Sequence, residues 1–454
     1  MSDALLQFLS IPVFLVALWR VLDAPFTRER RLALAFCATI LVIPLIQLLP
    51  MPPLIWTHLP GRELVVQTFS LLGHPAAWAP ISVAPEATWL AFLSLLPPLA
   101  IFLAVLTLDW RERRLMSFAL IAFGVVSVFL GLLQLAQGPT SPLRFFEFTN
   151  QTDPVGFFAN RNHFAALLYC SILLCGAMLA PQFAGLLSGR KKGRLSGDGS
   201  YPLAAIAVGV ALVVLIAGEV VSRSRAGVIL MVVALVAGFV LYGDNRRAVE
   251  NVTFPRLLGA IVALAIVLLG QAALSRLLDR FDVDPLADAR FVFARSTIAA
   301  AKSVMPIGAG VGSFPSIYPT FEKSGDLLPG IYANHAHNDF LEAWLETGLI
   351  GPILFVIFLI WLARKAIAAW ASSNPDLLPV DRALIRASIL IILLLLGHSF
   401  VDYPLRTGAM MAVFALACGL LIDPPIASAP AAPLSNRNRQ KLRRRTMAPS
   451  KLSQ

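Results

Sequence analysis

Charged residues are scarce in this chain of 454 residues. Asp, Glu, Lys and Arg together make up 14% of the sequence, whereas hydrophobic residues make up 57% and the mean hydropathy is +0.75. Soluble globular domains carry about 25% charged residues, so this composition excludes that class. Apolar runs of about 20 residues recur instead, and a helix of that length crosses the hydrocarbon core of a bilayer. The sequence therefore predicts an all-α, multi-pass membrane protein.

Cysteine is also rare, and all four cysteines lie within apolar runs. This placement favours small buried side chains over a disulfide framework or a thiolate metal site. The N-terminal region lacks the basic residues and the small-residue cleavage site of a secretory signal peptide. We therefore expect the first span to stay in the membrane as an anchor.

The net charge of +11 is carried mainly by segments between the apolar runs, and these segments alternate sharply in their content of Lys and Arg. By the positive-inside rule, the basic segments face the cytoplasm, the N-terminus faces out and the C-terminus faces in. The charge thus indicates topology and contact with membrane lipids, and not a nucleic-acid partner. We predict about eleven spans (eleven or twelve) at 4–19, 32–50, 88–107, 116–136, 164–185, 202–219, 226–242, 257–274, 340–363, 385–401 and 407–422.

This division makes residues 1–422 a transmembrane domain with one large exoplasmic loop, 275–338, between spans 8 and 9. Residues 423–454 are rich in Pro and Ala and then strongly basic. We expect this tail to be cytoplasmic, disordered and bound to anionic lipid.

The large loop ends in the densest polar cluster of the chain, which runs from Asn334 through His335, His337 and Asn338 to Asp339. Asp339 and Glu342 have the spacing of a capping box, which predicts a helix N-terminus directly after His337. Such an end favours anions and disfavours an imidazolium, so a neutral His337 is a candidate general base beside an anionic substrate. A zinc site at His335, His337 and Asp339, and a loop without a functional role, are the alternatives.

Arginines recur on the same predicted face. Arg223 and Arg225 alternate with serines between two spans, and Arg161 lies between two asparagines. Guanidinium groups beside hydroxyl groups suit a phosphate or pyrophosphate, although snorkelling to the membrane interface would also explain Arg223 and Arg225. A second polar group at the end of a helix pair is predicted to support the site, and its members are His398, Asp402 and Arg406.

Several of these segments resemble the O-antigen ligases and the related polysaccharide polymerases. His337-Asn338, nine further residues and then Gly348-Leu349-Ile350-Gly351 match the family pattern H-[NSQ]-x9-G-x-x-G. Four more segments are similar to family motifs in the same order along residues 150–420: Gly156–Ala165, Ser224–Gly227, Gly308–Phe314 and His398–Arg406.

The resemblance implies a metal-independent glycosyltransferase of the GT-C type that needs no cofactor and works at the periplasmic face of the bacterial cytoplasmic (inner) membrane. The donor would be a glycan on undecaprenyl pyrophosphate, and the acceptor a hydroxyl on lipid A core, on another saccharide repeat unit or on a protein. By position, His337 would activate the acceptor hydroxyl, while Arg225 and Arg290 would hold the pyrophosphate. Arg223, Arg161 and Asn338 would add substrate contacts, and the supporting residues would include His335, Asp339 and Glu342.

Two readings from other classes stay open. A transporter or flippase for a lipid-linked glycan would also need arginines in a cavity, but those would lie near the midplane of discontinuous helices. A membrane metal hydrolase would use His335 and His337, and chelators would inhibit it.

Overall fold

The computed structural model describes residues 2–25, 27–73, 77–187, 201–240, 285–326, 332–371 and 377–423. Helices dominate these residues, as the composition predicts, and the chain is an all-α multi-pass membrane protein. Six described helices are long and apolar enough to cross a membrane: Asp3–Asp23, Pro85–Thr107, Trp110–Gln137, Arg161–Ala180, Leu203–Val221 and Ile350–Ala371. The count of eleven spans stays a prediction, because the predicted span 257–274, the start of the large loop and the tail lie outside the described residues.

The first part of the chain runs from residue 2 to residue 187 and ends with α8 (Arg161–Leu187), the central helix of the bundle. Its helices are α1 (Ser2–Asp23), α2 (Arg28–Gln47), α3 (Pro53–Trp56), α4 (Glu63–Leu71), α5 (Pro85–Ser94), α6 (Leu96–Thr107), α7 (Trp110–Gln137) and α8 (Arg161–Leu187). A short antiparallel ribbon pairs β1 (Pro50–Met51) with β2 (Ala79–Pro80). Local chemistry explains individual boundaries: α7 begins with a capping box in which Asp109 and Glu112 satisfy each other's backbone N–H groups.

The second part contains α9 (Tyr201–Val221), α10 (Arg225–Val240), α11 (Pro285–Ser303), α12 (Phe314–Ile317), α13 (Asp339–Thr347), α14 (Ile350–Ala371), α15 (Pro379–His398) and α16 (Gly408–Leu420), numbered through the described residues. The prediction of one span over 340–363 is wrong. Gly348 has a φ of +61° and ends α13, and the apolar span starts anew at Ile350. The polar residues at the start of the predicted span therefore belong to a separate short helix.

The core of the bundle forms around α8. In its span Arg161–Ala180, 94% of the most apolar 18-residue window is buried. Helices α7, α9, α10 and α15 pack against it. The start of α8 at Arg161, the start of α10 at Arg225 and the end of α15 at His398 lie at one end of the bundle. There Asn162 of α8 hydrogen-bonds to Ser224 and Asp402, and the hydroxyl of Tyr169 of α8 lies 3.1 Å from Nδ1 of His398. This packing gathers the polar residues of distant segments at one face.

The glycine-rich segment 308–314 joins α13 to the first part of the chain. The N–H of Gly310 donates to the carbonyl of Glu346, and the N–H of Gly312 donates to Glu346 Oε1 at 2.8 Å. Gln47 at the end of α2 accepts from the N–H of Val311 at 2.9 Å and donates to the carbonyl of Glu346 at 3.0 Å. The backbone N–H groups of Gly310, Val311 and Gly312 are therefore all hydrogen-bonded within the protein, and the segment holds α13 against α2.

Candidate functional site

His337 lies directly before α13, and its ring contacts a carboxylate from the far side of the sequence. Nδ1 of His337 is 3.2 Å from Oδ1 of Asp402, and the two side chains are 13% and 1% exposed. The ring stacks on Phe293 of α11 at 5.6 Å between centroids and meets the edge of Tyr403 at 4.9 Å. With Nδ1 facing a carboxylate, Nδ1 carries the proton and Nε2 is the nitrogen that can accept another.

The carboxylate of Asp402 is fully buried and is surrounded by donors. Oδ2 accepts from Nδ2 of Asn162 at 2.5 Å, and Oδ1 accepts from the N–H of Tyr403 at 3.0 Å. Burial by itself raises the pKa of Asp402, but the hydrogen bond from His337 and the charges of neighbouring histidines outweigh it and lower the pKa. Asp402 is therefore an ionised carboxylate next to Nδ1 of His337, and its supporting role in a catalytic site stays a prediction.

The predicted capping box at Asp339 and Glu342 is wrong. Asn338 is the N-cap of α13, and its Oδ1 accepts from the N–H groups of Phe340 and Leu341 at 3.1 and 3.0 Å. Its Nδ2 donates to the carbonyl of Phe400 at 3.0 Å. Both ends of this amide are thus used within the protein, and a contact of Asn338 with substrate stays a prediction.

Glu342 binds the histidine loop instead of capping the helix. Oε1 accepts from Nδ1 of His335 at 2.8 Å, and Oε2 accepts from the N–H of Ala336 at 2.8 Å. Burial raises the pKa of Glu342, but Arg406 and His335 outweigh it and lower the pKa overall. The loop is consequently held on both sides of Ala336: Glu342 binds the preceding residue, His335, and Asp402 contacts the following residue, His337.

Arg406 neutralises three buried carboxylates on α13. Its nearest contacts are Oε2 of Glu346 at 2.7 Å, Oε1 of Glu342 at 3.5 Å and Oδ1 of Asp339 at 3.7 Å. Burial would lower the pKa of Arg406, but the three carboxylates raise it well above its usual value. Asp339 also accepts from the hydroxyl of Ser399 at 2.6 Å, yet burial raises its pKa to about 6. Arg406 and Asp339 therefore hold α13 in place, and their part in a functional site stays a prediction.

Four arginines predicted to bind substrate lie at this end of the bundle in two different settings. Arg225 is the first residue of α10 and is exposed. Arg290 lies one turn before Phe293 on α11, interacts electrostatically with His398, and has a buried Nε without a partner among the described residues. Arg161 and Arg223, in contrast, face Asp153, at 2.8 and 3.8 Å.

His398, the other predicted supporting residue, lies deeper in the bundle. Nδ1 of His398 is 3.1 Å from the hydroxyl of Tyr169, and Nε2 is buried without a partner among the described residues. Glu219 of α9, one turn from Arg223 in sequence, does not pair with the arginines; both of its carboxyl oxygens are buried without a described partner.

The zinc alternative has no support from the geometry. His335, His337 and Asp339 direct their polar atoms to different partners: Glu342, Asp402 and Ser399. Within the described ranges, no group of three or more His, Cys, Asp or Glu side chains could hold a metal ion. His335 and His337 are each hydrogen-bonded to a carboxylate, Glu342 and Asp402 respectively.

Sequence reasoning missed residues whose roles depend on tertiary contacts. Asn162 was visible only as part of an Asn-Arg-Asn segment, and Tyr403 only as the neighbour of Asp402. Tyr403 contacts the rings of three histidines and hydrogen-bonds to two asparagines. Its position in the sequence does not predict any of these contacts. Asp153 gave no signal at all, because a single carboxylate in a loop is usually solvated.

Comparison with protein families supplies a match to the segment that carries much of this site. No curated protein matches the chain. Residues 210–356 match the family model described as O-antigen ligase. The matched segment includes Arg225, Arg290 and His337, so the resemblance seen in the motifs is confirmed over those residues. The match supports an activity of the O-antigen ligase or polymerase type. Over residues 210–356, the chain is therefore similar to the O-antigen ligase family.

Proposed function

We propose that this protein transfers a glycan from undecaprenyl pyrophosphate to an acceptor hydroxyl, without a metal ion, at the periplasmic face of the bacterial cytoplasmic membrane. The observation that carries the proposal is the pairing of His337 with the buried, ionised Asp402 at the end of the bundle where Arg225 and Arg290 lie. A base held by a carboxylate next to anion-binding groups fits attack by a hydroxyl on a sugar pyrophosphate.

In this reaction, Nε2 of His337 takes the proton from the acceptor hydroxyl while the oxygen attacks the anomeric carbon of the donor sugar. The bond between that carbon and the pyrophosphate oxygen breaks, and the lipid pyrophosphate leaves with the electron pair. Asp402 stabilises the imidazolium that forms, since its carboxylate is 3.2 Å from Nδ1. The proton then passes from His337 to the departing pyrophosphate or to water.

The pyrophosphate needs positive charge as it leaves, and Arg225 and Arg290 supply it in place of a metal ion. Arg225 is exposed at the first residue of α10, where the helix N-terminus also favours an anion. Arg290 shares a face of α11 with Phe293, which stacks on His337, and its Nε has no described protein partner to compete with a phosphate oxygen. Arg161 and Arg223 add charge at the edge, partly neutralised by Asp153.

The test is transfer by the purified protein, with undecaprenyl-pyrophosphate glycan as donor and EDTA present throughout. Product on lipid A core, absent with His337→Ala, is the expected result for a ligase. Lengthening of the lipid-linked glycan without added lipid A core identifies a repeat-unit polymerase, in which the same site takes a saccharide hydroxyl as acceptor. Activity that requires a divalent metal would overturn metal independence. Binding of the donor without transfer to any acceptor would favour a transporter of lipid-linked glycan.

A further inference from the structure

The side-chain amide of Asn162 joins two parts of the site that are far apart in sequence. Nδ2 donates to Oδ2 of Asp402 at 2.5 Å, across 240 residues. Oδ1 accepts from the hydroxyl of Ser224 at 2.8 Å. Asn162 belongs to α8, Ser224 directly precedes Arg225 at the start of α10, and Asp402 holds His337. A continuous chain of hydrogen bonds thus runs from the start of α10 to the imidazole.

The direction of this chain follows from the chemistry of Ser224. Its oxygen accepts from the N–H of Gly227 at 3.0 Å, in the first turn of α10. A hydroxyl has one proton, which is donated to Asn162, and the amide oxygen of Asn162 must therefore face Ser224. The amide nitrogen is then left to face Asp402, whose ionised carboxylate only accepts. Ser224 accordingly sets the orientation of Asn162, and Asn162 donates to the group that orients the base.

Close packing keeps this geometry from shifting. Gly227 lies against α8 so tightly that a β-carbon on it would come within 2.5 Å of Cβ of Ala165 and would also collide with the carboxyl group of Glu219. Ser224 and Asp402 are 1% and 0% exposed. The first turn of α10 and the first turn of α8 therefore move together, and a displacement of one reaches Asp402 through Asn162.

We infer that Asn162, set by Ser224, is a positioning residue that couples the donor-binding start of α10 to the proton-accepting His337. The inference rests on the proposed function, because it takes Arg225 as a ligand of the lipid pyrophosphate and His337 as the base. A donor phosphate that settles on Arg225 fixes the first turn of α10 and, through Ser224, Asn162 and Asp402, fixes the imidazole. The base is thereby aligned when the donor is in place.

The variants are Ser224→Ala and Asn162→Ala, which break the chain, and Ser224→Thr, which keeps the hydroxyl. Ser171→Ala is the matched control: Ser171 is equally buried on α8, but its hydroxyl donates to the backbone carbonyl of Leu167 and contacts neither Ser224 nor Asn162. Full-length proteins are compared by size exclusion and by thermal midpoint, so that misfolded variants are recognised. Ser224→Ala and Asn162→Ala break the chain at different residues, so one still tests the inference where the other fails to fold.

The first readout separates kcat from binding. We expect kcat to fall about tenfold to hundredfold in Ser224→Ala and Asn162→Ala, the effect of one hydrogen bond to a charged group. Binding of undecaprenyl pyrophosphate should change less than about threefold, since a hydrogen bond away from the ligand is lost. Ser224→Thr and Ser171→Ala should stay near the wild-type kcat. Unchanged kcat in both alanine variants, or loss of binding with kcat unchanged, would overturn the inference.

The second readout does not need transfer. Diethyl pyrocarbonate modifies neutral imidazole, and mass spectrometry of the peptide with His337 gives the pH at which modification is half-maximal. Loss of the Asn162 donor leaves more negative charge on Asp402 for the imidazole, so this midpoint should move to higher pH in Asn162→Ala and Ser224→Ala only. The other titratable and charged groups facing the pair are common to all variants: His163, His335, His398, Tyr403 and Arg290.

The two readouts distinguish failure of the inference from failure of the proposed function. If the wild-type protein transfers no glycan, the proposed function fails, whereas the modification midpoint still reports whether Ser224 and Asn162 act on His337. An equal pH of half-maximal His337 modification in wild-type, Ser224→Ala and Asn162→Ala proteins would overturn the inference even in a fully active enzyme.

Discussion

Asp402 contacts His337 across 65 residues of sequence, with 3.2 Å between Oδ1 and Nδ1. The contact holds a histidine whose backbone has a φ of +49°, a left-handed conformation that costs a non-glycine residue about 1 kcal/mol or more. Stacking on Phe293 at 5.6 Å and edge contact with Tyr403 at 4.9 Å enclose the same ring. These contacts thus offset the cost of the strained backbone at His337, as is common where a side chain must point in one direction.

Replacing Asp402 with Asn is expected to reduce kcat by about 10²- to 10⁴-fold, the range attributed to a positioned general base. The amide has nearly the shape of the carboxylate, but it carries no charge to stabilise the imidazolium and can present its NH₂ group to Nδ1, which favours the wrong tautomer. Donor binding should change little. The measurement is kcat and the affinity for undecaprenyl pyrophosphate of wild-type and Asp402→Asn proteins; a kcat within threefold of wild-type would exclude a role for Asp402 in orienting the base.

The arginines should differ in what their removal does. Arg225→Ala and Arg290→Ala are expected to lower transfer by about 10²- to 10³-fold, the typical effect of losing one preorganised charge contact. Arg161→Ala should have a smaller effect on transfer, because its guanidinium is already bound to Asp153 at 2.8 Å.

Steady-state transfer assays on the three variants, with the amount of each protein in the membrane measured in parallel, provide the check. Arg161→Ala is the comparison for general loss of positive charge at this face. An equal loss in all three variants would mean that charge alone, and not the position of Arg225 and Arg290, governs donor binding.

The sequence predicted which polar residues lie at this site, but it did not predict the contacts between them. Apolar runs and charge alternation predicted a multi-pass helical protein, and the crowding of polar residues identified His337 and Asp402. The capping error arose because Asn338 and Asp339 are both good N-cap residues, and propensity does not choose between neighbours. The contact of Asn162 with Asp402 spans 240 residues and is created by the packing of α8 against α15, for which one sequence offers no signal. Hydropathy likewise could not detect the break at Gly348, because that break depends on a backbone angle.

Asp339 predicts a specific pH dependence of stability. Burial raises the pKa of Asp339 to about 6 from its ordinary value of 3.8, so the folded protein binds this proton more tightly than the unfolded chain between those values. Folding is therefore favoured where Asp339 is protonated, and its contribution to stability falls as pH rises from about 4 to about 6. Glu342, whose pKa is lowered, contributes in the opposite direction: its contribution is present above its ordinary value of 4.5 and is lost as pH falls below it.

The measurement is the thermal midpoint of wild-type and Asp339→Asn proteins in detergent over that pH range. The wild-type midpoint should fall relative to that of the variant as pH rises, and contributions from groups that do not interact with Asp339 cancel in the difference. Parallel curves would show that Asp339 does not titrate there.

The two glycines of the Gly348-Leu349-Ile350-Gly351 segment should respond very differently to substitution by alanine. Gly348 has a φ of +61°, and a β-carbon on it would collide with the backbone of Pro306 and Ile307. Strain at such an angle costs about 1–3 kcal/mol before the collision is counted. The segment also anchors α13, because the N–H of Leu349 donates to the carbonyl of Pro306 at 2.9 Å. Gly348→Ala should therefore lower the thermal midpoint and displace the loop that carries His337.

Gly351 is the control within the same motif, since it lies in the first turn of α14 and a β-carbon there meets only the side-chain hydroxyl of Thr347 at close range. Alanine is favoured over glycine in a helix by up to about 1 kcal/mol, which offsets the rotation of that hydroxyl. We expect Gly351→Ala to keep most of the thermal stability and transfer activity. Comparable losses in both variants would mean that the motif acts as a flexible pair, and that the left-handed turn at Gly348 is not what fixes the loop.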